Sequence, residues 1–141
     1  MTAIDLANFL QAHGLGQIGQ DLFVSFQPPE PDDCITVYDT GGYAPDIEVP
    51  LRDPTCQVLV RSTDYPVAME RAQEIYSLLH AKSNFAIGGY WVYLARAEHE
   101  PTPIGPDENG RPEITLNFHF KIRRGKLWLL ILPTSSLELA F

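Results

Sequence analysis

From Glu113 to Arg123 apolar and polar residues alternate without a break. Ile114, Leu116, Phe118, Phe120 and Ile122 fall on one side, and Glu113, Thr115, Asn117, His119, Lys121 and Arg123 on the other. Side chains alternate faces along a strand, so this pattern predicts a strand with one dry face and one wet face. Asp107-Glu108-Asn109-Gly110 stands just before it, and Asn and Gly accept the positive φ of a tight turn at little cost. Phe85 to Glu98 is a further strand-like stretch. The sequence therefore predicts a long antiparallel hairpin with one polar face, which must meet water, a channel or another molecule.

Elsewhere the period changes. Thr2-Ala3-Ile4-Asp5 has the form of a capping box with Asp in the Glu position, and Ala3, Leu6, Ala7 and Leu10 then share one helical face. A short helix over 3–13, stopped by Gly14, is expected. Gly14, Gly16 and Gly19 predict a flexible connection, followed by a short strand over 21–26. Pro28, Pro29 and Pro31 remove the donors a central strand needs, so 28–33 is a loop. Cys34–Asp39 is β-rich and runs into Thr40-Gly41-Gly42, a turn signal. Residues 43–54 hold three prolines and three acids and read as an exposed excursion. Cys56–Ser62 is β-rich again. Asp64 is placed to cap a main helix with Pro66 in its first turn. Met69, Ala72, Ile75, Tyr76 and Leu79 form its apolar stripe, and its end is expected near Lys82-Ser83-Asn84.

Helix, strands, helix, strands in that order predict an α+β domain: a mostly antiparallel sheet with one main helix on one face and a short N-terminal helix. One domain over 1–124 is expected, with 125–141 as a C-terminal extension. There Leu127–Leu132 is apolar without alternation and follows Arg123-Arg124. It reads as a buried edge strand, a partner-binding segment or an added extension.

Composition narrows the function classes. The chain has 141 residues, 45% of them apolar, enough to build a core without staples. A formal charge of −8 argues against general binding to a nucleic-acid backbone, which needs a basic surface. The charge is uneven: residues 1–80 hold 12 acidic and 3 basic residues, and residues 81–141 hold 6 and 7. An acidic side and a mildly basic side suit head-to-tail packing of copies, the contact that closes a ring. Cys34 and Cys56 are too few for a disulfide framework or a zinc site and are expected reduced. No basic region followed by an apolar run opens the chain, so no secretory leader is expected. The apolar run 127–132 is far short of the roughly 20 residues of a membrane-spanning helix.

Candidate chemistry is sparse. Asp39-Thr40-Gly41 after the strand Ile35–Tyr38 has the form of an aspartic protease motif, in which a dimer of small chains brings two carboxylates to share one proton. Gly42-Tyr43 follows where small Ser or Ala is usual, and the later hydrophobic-Gly-Arg support is missing. A turn at a strand end accounts for the same residues. His13, His80, His99 and His119 have no metal-ligand spacing, and His119 reads as a surface histidine on the wet face. Gly14–Gly19 lacks the Lys-Ser/Thr of a phosphate loop and follows a helix, the wrong context for a dinucleotide site. Tyr90, Trp91 and Tyr93 lie in a strand without basic neighbours and read as sheet packing. No cofactor or metal site is expected.

Several segments together resemble one family. They are Tyr38-Asp39-Thr40-Gly41-Gly42; Pro54 through Arg61-Ser62; Asp64-Tyr65 leading through Ala72 to Leu79-His80; Gly88-Gly89-Tyr90; and Pro103-Ile104-Gly105-Pro106-Asp107-Glu108-Asn109-Gly110-Arg111. In order and spacing, over residues 1–124, these resemble the minor capsid or tail-terminator proteins of long-tailed bacteriophages. The resemblance implies a structural protein rather than an enzyme: a small α+β subunit that closes into a ring, commonly a hexamer. Such a ring caps the head-proximal end of the tail tube, stops its polymerisation and offers a surface to the head connector. The implied partners are further copies of the chain, the tail-tube protein and the head connector protein. DNA would pass through without specific binding, and no membrane is involved. The implied place is the virion neck, assembled in the host cytoplasm. A head-completion or connector protein of the neck is the alternative, and a dimeric aspartic protease using Asp39 the remote one. Loops reach and adapt, so the two loop regions supply the candidate contacts: Tyr43, Asp46, Glu48 and Arg52, and Asp107, Glu108, Asn109 and Arg111.

Overall fold

The structure, a computed structural model, describes residues 1–125. The elements are α1 (Ala3–Ala12), β1 (Leu22–Val24), β2 (Cys34–Tyr43), β3 (Asp53–Arg61), α2 (Tyr65–Leu79), β4 (Lys82–Ile87), β5 (Tyr90–Ala97), β6 (Thr102–Pro106) and β7 (Pro112–Arg123). Among the described residues the strands form one sheet in the order β1-β2-β3-β7-β5-β4, with β6 also paired to β7. The β1–β2 pair is parallel and the others are antiparallel.

The alternating segment becomes the spine of this sheet. β7 pairs with β3 through Glu113–His119, with β6 through Pro112–Thr115 and with β5 through Phe118–Arg123. Thus β6 and β5 lie end to end along one side of β7, with β3 on the other. The five apolar residues of β7 are all fully buried. They meet Cys56, Val58 and Val60 of β3, Ile35 and Val37 of β2, and Val92 and Ala95 of β5. Each Leu or Ile so buried contributes about 1.5–3 kcal/mol.

Both helices cover the same face. α2 buries Ala68, Ala72, Ile75 and Leu79 against β3, β5 and β7. α1 buries Ala3, Leu6, Ala7 and Leu10, the four residues of its expected stripe. It touches β1 and β2 near one end of the sheet and β4 at the other, so the twisted sheet curls until its ends flank the helix. Phe9 of α1 meets Phe85 of β4 with ring centroids 5.5 Å apart. The start of α1 is held from both directions. The Asp5 carboxylate accepts the Thr2 backbone N–H at 2.9 Å, and Asp39 Oδ1 of β2 accepts the Ala3 N–H at 2.8 Å. Negative oxygens at a helix N-terminus satisfy orphan donors and oppose the positive end of the dipole.

Five expectations are corrected. Phe85–Glu98 is not one strand: Gly88-Gly89 turns the chain between β4 and β5. The partner of β7 across the Asp107–Arg111 turn is β6, hidden in the sequence by Pro103 and Pro106; prolines are tolerated there because β6 pairs on one side only. Thr40-Gly41-Gly42 is not a turn but lies inside β2, where a bulge between Asp39 and Gly42 absorbs the positive φ of both glycines. A Cβ on Gly42 would collide with the Asp53 carbonyl oxygen. The main helix ends at Leu79 rather than at 82–84, because Lys82 onward pairs with β5, and Ala81 takes φ 63 at the change of direction. Asp64 makes no side-chain capping bond. The expectations for 126–141 lie outside the described residues.

Candidate functional site

The sheet face opposite the helices carries the polar residues of β7, and its two halves differ. One half is roofed by the proline loop 27–33. The other is open.

Two buried arginines hold the roof. Arg61, 2% exposed, donates from Nε to the Asp32 carbonyl at 3.2 Å and from Nη2 to the Pro28 and Pro31 carbonyls at 2.8 and 2.6 Å. Arg111, 7% exposed, donates to the Pro29 carbonyl at 2.7 Å and to Asp32 Oδ1 at 3.0 Å. Its Nε donates to Asp107 Oδ2 at 2.8 Å, and Arg61 Nη1 stands 4.0 Å from the same oxygen. A loop rich in proline has carbonyls without ladder partners, and a guanidinium has five donors in a fixed fork. Burial alone pushes the Asp107 carboxyl up, but the backbone and side-chain bonds from Arg111 outweigh it and hold the group below the usual carboxylate range. Under this roof Cys34, Thr36, Leu59 and Thr115 are buried although they lie on the polar side of the strands. The expected wet face is therefore wet over only half its length.

The open half is organised around Asp53, the first residue of β3. His119 Nε2 and Lys121 Nζ each lie 2.9 Å from Asp53 Oδ1. Burial raises the Asp53 carboxyl, yet the bonds from Lys121 and His119 more than offset it and leave it below its ordinary value. Arg96 Nη2 lies 3.2 Å from His119 Nδ1. An Arg guanidinium only donates, so this geometry fits an imidazole that accepts from Arg96 at Nδ1 and donates from Nε2 to Asp53. The Tyr43 ring packs on the His119 ring at 4.9 Å, and its hydroxyl donates to Glu98 at 3.1 Å, a bond that raises the phenol's pKa. His119 is thus packed into a cluster, where the sequence suggested a plain surface residue. Leu94, Arg96, His119 and Lys121 line a shallow hollow of about 210 Å³.

The loop 44–52 leaves the sheet beside that hollow. Asp46 Oδ1 accepts the Glu48 and Val49 N–H groups at 2.9 and 3.2 Å, and the Asp46 N–H donates to the Leu51 carbonyl at 3.2 Å. At its far end Arg52 exchanges two backbone bonds of 2.9 Å with Ile122. The loop is a built structure, and it holds Ile47 out at 98% exposure.

Of the residues singled out in the sequence, Tyr43, Asp46, Glu48 and Arg52 gather at this loop, all four exposed. Glu108 and Asn109 are exposed at the β6–β7 turn. Asp107 and Arg111 point inward and serve the roof. Sequence reading missed Asp53, Arg96, Lys121 and Ile47. The alternation of β7 did place Lys121 and His119 on one face, but their partners come from strands distant in the chain. Asp39 is occupied with the start of α1. Burial pushes the Cys56 thiol up to about 12, with the nearby Asp39 charge adding to it. Among the described residues no group of three or more His, Cys, Asp or Glu is placed to hold a metal ion, and no helix is long and apolar enough to cross a membrane.

The molecule is a sheet-built α+β domain with polar and apolar groups on an open face and a protruding loop beside it. A family model described as bacteriophage tail terminator protein matches residues 9–124, a span that takes in every strand, all of α2 and the last turn of α1. The chain belongs to the bacteriophage tail terminator family, a family of structural virion proteins. No curated protein matches it. One solved structure, which bears a sequence designation and no functional description, shares the fold. It aligns over 83% of this chain and 88% of its own at 16% identity, with a TM-score of 0.50.

Proposed function

We propose that this protein caps the head-proximal end of a phage tail tube as a closed homo-oligomeric ring, a hexamer in the simplest case. The ring ends tube polymerisation and presents a surface for head joining, with the tail-tube protein and the head connector as partners. The observation that carries this reading is the family match across the folded domain, joined to the unlike surfaces of the subunit. Asp46 and Glu48 lie on a protruding loop, while Arg96 and Lys121 lie on the open sheet half. Unlike patches on one subunit generate heterologous contacts, and heterologous contacts that close give rings. The lumen would be neutral or acidic, which lets a polyanion pass without clamping it.

The mass of the purified protein by native mass spectrometry, alone and after incubation with tail tubes, tests this. A ring in solution, or rings seated only on tube ends in electron micrographs, is the expected result. A strict monomer that leaves tube ends bare overturns it, and capture of the portal complex in place of the tube would assign the protein to another part of the neck.

A further inference from the structure

Resting on the ring proposed above, we infer that the 44–52 loop of one copy seats Ile47 in the Leu94 hollow of the next copy. The loop tip is a pre-shaped apolar knob. Ile47 is 98% exposed, Val49 is 44% exposed beside it, and the Asp46 turn fixes both. An isoleucine held in water by an ordered turn, rather than folded back on its own subunit, is an unused hydrophobic contact. The hollow is its counterpart. Leu94, 43% exposed, gives it an apolar wall, and Arg96 sets a positive charge at its rim, while Lys121 is paired with Asp53.

Charge decides the orientation. Glu48 follows Ile47 at the tip, and Arg96 lies exposed at the rim of the hollow. The knob enters with a carboxylate facing a guanidinium, an arrangement that steers encounter and fixes register. The loop is rooted at the hollow's edge, where Tyr43 packs on His119, yet Ile47 stays exposed. The tip therefore does not fill its own subunit's hollow, and the seat is left for a neighbour. A conformed loop loses little entropy when it docks.

A variant with Ile47→Cys and Leu94→Cys tests the contact by mild oxidation. Native Cys34 and Cys56 are buried and do not compete. The expected result is a ladder of covalent oligomers up to the ring's copy number, absent from the Leu94→Cys single variant. In parallel, Ile47→Asp should weaken assembly about tenfold or more, the worth of one buried isoleucine. A 1:1 mixture of Ile47→Asp and Leu94→Asp chains should form a heterodimer that neither forms alone. Rings in the wild type with no ladder in the double variant overturn the knob-and-hollow contact and leave the ring reading standing. A ladder that stops at the dimer shows reciprocal pairing and overturns it as a ring contact. A wild type that never assembles, even on tubes, sinks both.

Discussion

Arg111 Nη1 donates to Asp32 Oδ1 at 3.0 Å, and that bond joins the turn before β7 to a proline loop 79 residues earlier in the chain. With Arg61 it makes a buried, hydrogen-bonded clamp over one half of the polar sheet face. It also takes two of the chain's ten cations off the surface. Among the described cations, Arg96 of β5 and Lys121 of β7 stay at the hollow on the open half.

Removing Arg61 strips donors from three loop carbonyls at once. Arg61→Met should destabilise the protein by about 2–4 kcal/mol, in the range for breaking a buried polar network. Arg61→Lys should restore only part, since an ammonium cannot span the fork. Urea unfolding followed by tryptophan fluorescence checks this. Equal stability of the three proteins would show that the clamp is ornamental.

Phe118 sits mid-spine, fully buried against its neighbours, with the Phe120 ring centroid 6.4 Å away. Phe118→Ala should cost about 3–5 kcal/mol through lost burial and the cavity left behind. The readout is the denaturation midpoint, and a loss under 1 kcal/mol would mean that the sheet collapses to fill the gap.

Gly42 holds φ +146 with its α-carbon against the backbone of Asp53. Gly42→Ala must displace the bulge and with it the root of the 44–52 loop. A loss of about 1–3 kcal/mol is expected from backbone strain. A selective rise in hydrogen exchange over 41–54 would accompany it, and unchanged exchange there would count against a role for the bulge in fixing the loop.

The carboxyls of Asp53 and Asp107 are both held below the ordinary range in the folded protein. Depressed acids bind protons more readily when unfolded, so their contribution is present above the unfolded value of about 3.9 and is lost as pH falls through the folded values. Stability should therefore decline below about pH 5, and Asp53→Asn should flatten that decline. Parallel curves for mutant and wild type would remove Asp53 from the account.

Cys56 works in the opposite sense. Its raised thiol pKa stabilises the fold fully below the unfolded value near 8.5, and the benefit fades as pH rises toward about 12. In the native state at neutral pH neither cysteine should react with a thiol reagent, and both should react on unfolding. Rapid labelling of the native protein would contradict the burial.

The sequence alone determined the two helices' apolar faces, the spine strand β7 and the α+β class, because each follows from periodicity within a single segment. Its shared motifs also pointed to the tail-terminator family. Local pattern said nothing of which strand lies beside which. It could not show that β6, masked by prolines, is the hairpin partner of β7, or that Thr40-Gly41-Gly42 continues a strand. Nor could it separate Arg111, turned inward to Asp32, from Glu108 and Asn109, which stay at the surface. Only the tertiary structure decided those points, since a polar side chain's role depends on the partners that folding brings to it. Asp53, His119 and Lys121 become one cluster only when β3 and β7 pair, and the hollow exists only once β5 lies beside β7.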